Sequence, residues 1–117
     1  MNYLDEIIAY KRKEVAEAKS LCSVQQLEKS NYFNRETFSL KNALLQKKAS
    51  GIIAEFKRKS PSKGIINQGA DVKQTTTGYV NAGASALSVL TDTNYFGGSA
   101  KDLTEATKFY SCPILRK

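Results

Sequence analysis

The sequence of 117 residues contains no histidine and only two cysteines, Cys22 and Cys112. Because it has no CxxC pair and no Cys/His spacing, it does not predict a zinc site, and both cysteines are expected to serve as small apolar residues. No apolar run approaches the roughly 20 residues of a membrane span. The N-terminal segment is amphipathic and charged, without the apolar centre of a signal peptide. These absences predict a cytoplasmic protein that has no membrane partner.

Acidic residues are also in the minority, with 11 Asp and Glu against 18 Lys and Arg, which gives a formal net charge of +7. A positive balance favours anionic partners such as phosphorylated metabolites or nucleic acid. The charge is spread along the chain and forms no block, so it gives little support to nucleic acid in particular. The length suits one small domain with its own core. It is too short for a closed eight-stranded βα barrel, which takes about 250 residues.

The most informative stretch covers residues 52–64, Ile-Ile-Ala-Glu-Phe-Lys-Arg-Lys-Ser-Pro-Ser-Lys-Gly. Its first part is typical of a buried strand, on which Glu55 and Lys57 point to the same face. Charges are costly to bury, so this pair indicates either a functional site or a salt bridge on a surface strand. The segment from Ser60 to Gly64 predicts a turn, because proline presets φ and glycine adopts conformations that other residues resist. The other basic residues of the stretch are expected to be solvated charges, and the alternative is that they steer an anionic substrate: Arg58, Lys59 and Lys63.

The rest of the chain alternates helical and strand patterns. Helices are predicted over residues 2–20, 24–29, 39–48, 74–82 and 100–110, and strands over 52–57, 85–90 and 112–117. Ser23 and Gln26 have the spacing of a capping box, and Ser39 and Gly51 are expected to begin and end the third helix. Gly83 is expected to end the helix over 74–82 in the left-handed conformation.

Two local features bear on this pattern. The helix over 74–82 contains Thr75, Thr76, Thr77 and Gly78, which are poor helix formers, so it is expected to be weak. The order strand, helix, strand, helix, strand predicts a parallel sheet with right-handed crossovers. In βα barrels the functional groups lie at the C-terminal ends of the strands, and Glu55, Lys57, the segment 90–96 and Lys117 fall there.

Three strings carry a family resemblance: residues 52–64, residues 87–99 (Leu-Ser-Val-Leu-Thr-Asp followed by Tyr-Phe-Gly-Gly-Ser) and residues 113–117 (Pro-Ile-Leu-Arg-Lys). Together they resemble the first three strands of indole-3-glycerol phosphate synthase, and residues 3–15 resemble the helical extension that precedes them. The resemblance implies the α/β class and a partial (β/α)8 (TIM) barrel. Residues 1–50 would form the N-terminal helical extension. Residues 51–117 would form the first two βα units and the start of a third parallel strand.

The resemblance also implies a reaction of tryptophan biosynthesis. In it, 1-(2-carboxyphenylamino)-1-deoxyribulose 5-phosphate closes its ring with loss of carbon dioxide and water, without a metal or cofactor. By this resemblance Lys117 is the general acid, which requires a lysine pKa drawn towards neutrality. Lys57 neutralises the substrate carboxylate and takes part in dehydration, and Glu55 orients both lysines and the substrate.

The substrate-binding residues implied by the resemblance are Ser60, near the substrate carboxylate, and Leu90 and Phe96, against the anthranilate ring. Taken alone, Leu90 and Phe96 are more typical of a core than of a pocket, and Lys117, as the last residue given, is typical of a frayed, solvated terminus.

The family's second catalytic glutamate, its asparagine and arginine, and its phosphate site belong to later strands. We therefore expect this N-terminal portion to have little or no activity alone. The alternative is a non-enzymatic basic α/β module. Such a module would bind phosphorylated ligands or nucleic acid, or self-assemble through open sheet edges.

Overall fold

The computed structural model describes residues 2–108 and 110–117. The chain divides into two compact units, Met1–Thr37 and Phe38–Lys117, and each is described by itself. The division at residue 50 between a helical extension and barrel units stays a prediction. Phe109, which the sequence assigned to the last helix, lies outside the described residues.

In the first unit, residues 2–37 form two helices, α1 (Tyr3–Leu21) and α2 (Val24–Glu28). The Asn2 side chain caps α1 by accepting a hydrogen bond from the Asp5 amide at 2.9 Å. The predicted capping box is confirmed, because the Ser23 hydroxyl accepts from the Gln26 amide at 3.2 Å and Gln26 Oε1 accepts from the Ser23 amide at 2.7 Å. Neither helix contains a buried residue among those described.

The two cysteines differ from each other, and Cys22 also differs from the prediction. Cys22 is exposed, so its predicted role as apolar filler is wrong. The reason is that the two helices beside it bury none of their described residues, which leaves no core to fill. Cys112 is half-buried, and this burial raises the pKa of its thiol.

The described residues of the second unit form three helices and five strands. In chain order they are α3 (Leu40–Leu45), β1 (Ile53–Phe56), β2 (Lys59–Ser60), β3 (Gly64–Ile65), α4 (Val72–Asn81), β4 (Ala86–Val89), α5 (Ala100–Thr107) and β5 (Ile114–Arg116). Ser39 caps α3 as predicted, accepting from the Asn42 amide at 3.1 Å. The predicted end at Gly51 is wrong, because Gln46 already has an extended conformation and ends the helix.

Helix α4 begins at Val72, earlier than predicted, because Asp71 caps it. Asp71 Oδ1 accepts from the Gln74 amide at 2.7 Å, which satisfies a donor that a helix start leaves unpaired. Two threonine hydroxyls are hydrogen-bonded to carbonyls one turn earlier in the helix. Thr76 Oγ1 donates to the Val72 carbonyl and Thr77 Oγ1 to the Lys73 carbonyl, each at 2.6 Å. Gly83 follows the helix with φ of +100°, as predicted.

The main sheet has the strand order β1-β4-β5, and both pairings are parallel, as predicted. Glu55 is in register with Ser88, and Ser88 is in register with Leu115. A second, antiparallel pairing joins β2 to β3 across the Ser60–Gly64 turn. The sequence predicted the turn but not the pairing, because strands of two residues carry no periodicity.

One face of the main sheet packs against the helices. Phe56 and Val89 form a core cluster with Val72 of α4 and Ala106 of α5. Burial of a side chain such as Val89 stabilises the fold by about 1.5–3 kcal/mol. Because strand side chains alternate between faces, Glu55, Ser88 and Leu115 lie on the opposite face.

The N-terminal end of β1 is less buried than the sequence predicted. Ile52 and Ile53 are 58% and 42% exposed, because β1 is an edge strand that pairs with β4 on one side only. Leu115, on the other edge strand, is 49% exposed. In the part of the chain that the structure describes, no helix has the length and apolar character needed to cross a membrane.

Candidate functional site

A carboxylate and two ammonium groups meet at the C-terminal end of the main sheet. Lys57 Nζ lies 3.3 Å from Glu55 Oε1, and Lys117 Nζ lies 3.3 Å from Glu55 Oε2. Glu55 lies on β1 and Lys57 directly follows it, so the two side chains, two residues apart, share a face. Lys117 directly follows β5. The parallel order of the strands places β1 and β5 on either side of β4 with their C-terminal ends at one edge. This arrangement brings together the three predicted catalytic residues.

Ser88 is a fourth member of this cluster that the sequence interpretation missed. Its hydroxyl donates a hydrogen bond to Glu55 Oε2 at 2.9 Å, and its side chain is in register with Glu55 on the neighbouring strand. The available signal was a hydroxyl in the middle of an otherwise apolar strand. Its partner could not be identified without the register of β1 against β4.

The pKa of Glu55 lies below its ordinary value. Partial burial acts in the opposite direction, but the hydrogen bond from Ser88 and the two lysine ammonium groups outweigh it. Glu55 is therefore ionised at neutral pH. In this form it accepts hydrogen bonds and orients cations, and it is not an acid that donates a proton.

The backbone of Lys117 is held in the sheet. Its amide donates to the Val89 carbonyl at 3.0 Å, and its carbonyl accepts from the Thr91 amide at 2.6 Å. The expected frayed terminus is therefore wrong for the backbone, because pairing with β4 continues to this residue. The side chain remains 58% exposed, so its ammonium group is accessible from solvent.

Phe96 lies in the loop after β4 and meets the cluster through Lys57, whose Nζ is 5.8 Å from the centre of its ring. The loop is closed by internal bonds: Asp92 Oδ2 accepts from the Tyr95 amide at 2.7 Å, and the Asp92 carbonyl accepts from the Gly98 amide at 2.7 Å. The distance between Lys57 Nζ and the Phe96 ring is compatible with a cation–π interaction. It places an aromatic surface beside the ammonium group.

Leu90 and Ser60, the other predicted substrate-binding residues, are both buried. Leu90 is 2% exposed, and its amide donates to the Phe56 carbonyl at 3.3 Å. The hydroxyl of Ser60 accepts from the Lys63 amide at 3.2 Å. The Ser60 bond closes the turn between β2 and β3, and the substrate-binding roles of Leu90 and Ser60 stay predictions.

Comparison with known proteins identifies the family. The family model for indole-3-glycerol phosphate synthase matches residues 4–117. This chain belongs to the indole-3-glycerol phosphate synthase family. The resemblance found in the three strand motifs is thereby confirmed.

Three curated relatives carry the name indole-3-glycerol phosphate synthase. The protein of Bacteroides thetaiotaomicron is 49% identical over 114 residues, which are 97% of this chain and 44% of the relative. The protein of Syntrophobacter fumaroxidans is 40% identical over 118 residues, 99% of this chain and 44% of the relative. That of Carboxydothermus hydrogenoformans is 36% identical over 121 residues, 98% of this chain and 46% of the relative. The chain thus spans less than half the length of the curated relatives it matches.

Arg58 differs most from the sequence prediction for this region. It was expected to be a solvated charge, but its guanidinium forms a forked pair with the Asp102 carboxylate, with Nη1 on Oδ2 and Nη2 at 3.0 Å from Oδ1. The bond to Asp102 and its charge raise the pKa of Arg58, although burial opposes them. The prediction failed because the partner lies 44 residues along the chain, on α5, and only the packing of α5 on the sheet brings it near.

Proposed function

We propose that this chain supplies the N-terminal part of an indole-3-glycerol phosphate synthase active site, built on the first strands of a (β/α)8 barrel. The observation that carries the proposal is the Glu55 carboxylate between the ammonium groups of Lys57 and Lys117, each 3.3 Å away. Two cations at the C-terminal edge of a parallel sheet suit an anionic substrate, and that edge is where βα barrels hold their active sites.

The proposed reaction acts on 1-(2-carboxyphenylamino)-1-deoxyribulose 5-phosphate. The ring carbon that bears the carboxylate attacks the ribulose carbonyl carbon, whose oxygen takes a proton. Carbon dioxide then leaves, the hydroxyl departs as water, and a ring proton is removed. Lys117 is the proposed proton donor to the carbonyl oxygen, and its exposed ammonium is placed to reach a ligand. Lys57 pairs with the substrate carboxylate and assists dehydration.

In this proposal the ionised Glu55 holds the two ammonium groups at fixed positions, and Ser88 fixes the carboxylate in turn. Positioning of this kind lowers the entropic cost of reaching the transition state. Phe96 and Leu90 would form the apolar wall against the anthranilate ring, and Ser60 would lie near the substrate carboxylate. We place the phosphate site in later strands of the family fold, and the protein in the cytoplasm.

The proposal predicts that the 117-residue chain binds this substrate weakly and turns it over slowly or not at all, because it spans 44% of the first two relatives. Binding is followed by NMR titration of the lysine side chains up to about 1 mM substrate, the range of weak ligands. Turnover is followed by the fluorescence of the indole product. We expect saturable shifts at Lys57 and Lys117, and loss of the Lys117 shift in Lys57→Met.

Lys63→Met is the matched control for this titration, since it removes a lysine from the same basic stretch but outside the Glu55 cluster. It should leave the shifts at Lys57 and Lys117 intact. Absence of any shift, or an equal loss in both variants, would contradict the proposed site. Turnover comparable to that of an intact family member would contradict the prediction that this chain is inactive alone.

A second candidate function is self-association through the open sheet edges. The observation that favours it is the exposure of Ile53 and Leu115 on the two edge strands, because exposed strand edges are sites of pairing between chains. Intact mass and light scattering over roughly a tenfold dilution test it. A dimer that Ile53→Lys dissociates would support this function, and a monomer at every concentration would contradict it.

A further inference from the structure

Arg58 lies at the point where three segments of the second unit meet. Its guanidinium forms the forked pair with Asp102 of α5. Its Nε donates to the Ala70 carbonyl at 3.2 Å, and its Nη1 donates to the Gly97 carbonyl at 3.4 Å. A guanidinium offers several donors in a rigid plane, which a lysine cannot reproduce. Arg58 therefore joins the end of β1 to α5, to the segment before α4 and to the loop after β4.

The contact at Gly97 connects this clamp to the candidate site. Gly97 directly follows Phe96, and Arg58 directly follows Lys57. The Lys59 side chain lies beside the same residue, since a Cβ built on Gly97 would be 3.3 Å from Lys59 Cγ. The residues that directly follow Lys57 and Phe96 are thus bonded to each other, through Arg58 Nη1 and the Gly97 carbonyl.

The Arg58 guanidinium is also held from β1 itself. Its carbon lies 4.8 Å from the centre of the Phe56 ring, and Phe56 is part of the core cluster. The clamp is consequently anchored to the rigid sheet and does not move freely with the loop after β4. A displacement of the loop would have to break the contacts at Gly97.

We infer that Arg58 is a positioning residue, which sets the separation between the Lys57 ammonium and the Phe96 ring by tying the end of β1 to the loop after β4. The importance of this separation for catalysis rests on the proposed function. The separation itself is a property of the folded chain, so its test needs neither substrate nor turnover.

The test compares the nuclear Overhauser effect between the Lys57 ε-protons and the Phe96 ring in the full chain and in Arg58→Lys, which keeps the charge but loses the fork. We expect the cross-peak to fall at least about twofold in Arg58→Lys. We also expect faster exchange of the Gly97 and Gly98 amides, by about tenfold, because local opening of the loop becomes easier. Arg12→Gln, an exposed arginine of α1, should change neither quantity.

A variant that weakens the fold without touching the clamp separates positioning from general stability. Leu87→Ala removes a fully buried side chain of β4, which lies in register with Ala54 and Ile114 and not with an Arg58 partner. It should lower the unfolding midpoint while keeping the Lys57–Phe96 cross-peak. An unchanged cross-peak in Arg58→Lys, or an equal loss in Arg58→Lys and Leu87→Ala, would overturn the inference. Loss of substrate binding with the cross-peak intact would instead count against the proposed function alone.

Discussion

Gly98 supports the sharpest stability prediction because the backbone of Leu90 lies directly over it. A Cβ built on Gly98 would lie 1.9 Å from the Leu90 carbonyl oxygen and 2.6 Å from its carbonyl carbon. Both are backbone atoms, so no side-chain rotation relieves the clash. The Leu90 amide is bonded to the Phe56 carbonyl and the Gly98 amide to the Asp92 carbonyl, which resists movement on either side.

The expected effect of Gly98→Ala is a loss of about 3 kcal/mol or more, at the upper end of the cost of overpacking. This is a large part of the roughly 5–15 kcal/mol that stabilises a small protein. Gly78→Ala is the matched control, because a Cβ on Gly78 meets no atom within 4 Å. Gly78 lies inside α4, where alanine is favoured over glycine by about 1 kcal/mol. The same chemical change should therefore have opposite signs at the two positions.

Urea denaturation followed by far-UV circular dichroism measures both effects, with the slope m compared among the proteins. We expect a lower midpoint for Gly98→Ala and a midpoint at or above that of the parent chain for Gly78→Ala. An undiminished midpoint in Gly98→Ala would refute the close approach of Gly98 to the Leu90 backbone. A marked loss in Gly78→Ala would mean that α4 has a packing contact at this position.

Two further predictions concern the site and the start of α4. The folded-state pKa of Glu55 lies below the value of 4.5 for the free side chain, so its ionisation stabilises the fold above that pH and this contribution is lost as the pH falls through the folded pKa. Ser88→Ala should raise the Glu55 pKa in an NMR titration of the carboxyl carbon and reduce this acid-dependent loss of stability; an unchanged pKa would show that Ser88 contributes nothing to the carboxylate. Asp71→Ala should lower the free energy of unfolding by about 1 kcal/mol because it removes the cap of α4, while Asp71→Ser should recover most of it in thermal unfolding; equal losses in the two variants would argue against capping.

Local chemistry accounts for the features that the sequence predicted. The capping box at Ser23 and Gln26 and the cap at Ser39 depend on atoms within three residues of each other, so their spacing alone determines them. Glu55 and Lys57 share a face because strand side chains alternate. The parallel order of the strands follows from the helices between them.

Contacts between distant residues were decided by tertiary structure. Lys117 meets Glu55 across 62 residues, and Arg58 meets Asp102 across 44. Only the register of β1 against β4 aligns Ser88 with Glu55. The exposure of Ile53 is likewise a property of its place at the sheet edge. The sequence thus determined which side chains stand at the ends of the strands, because that depends on local pattern. The partners of these side chains depend on strand register and helix packing, which no local pattern encodes.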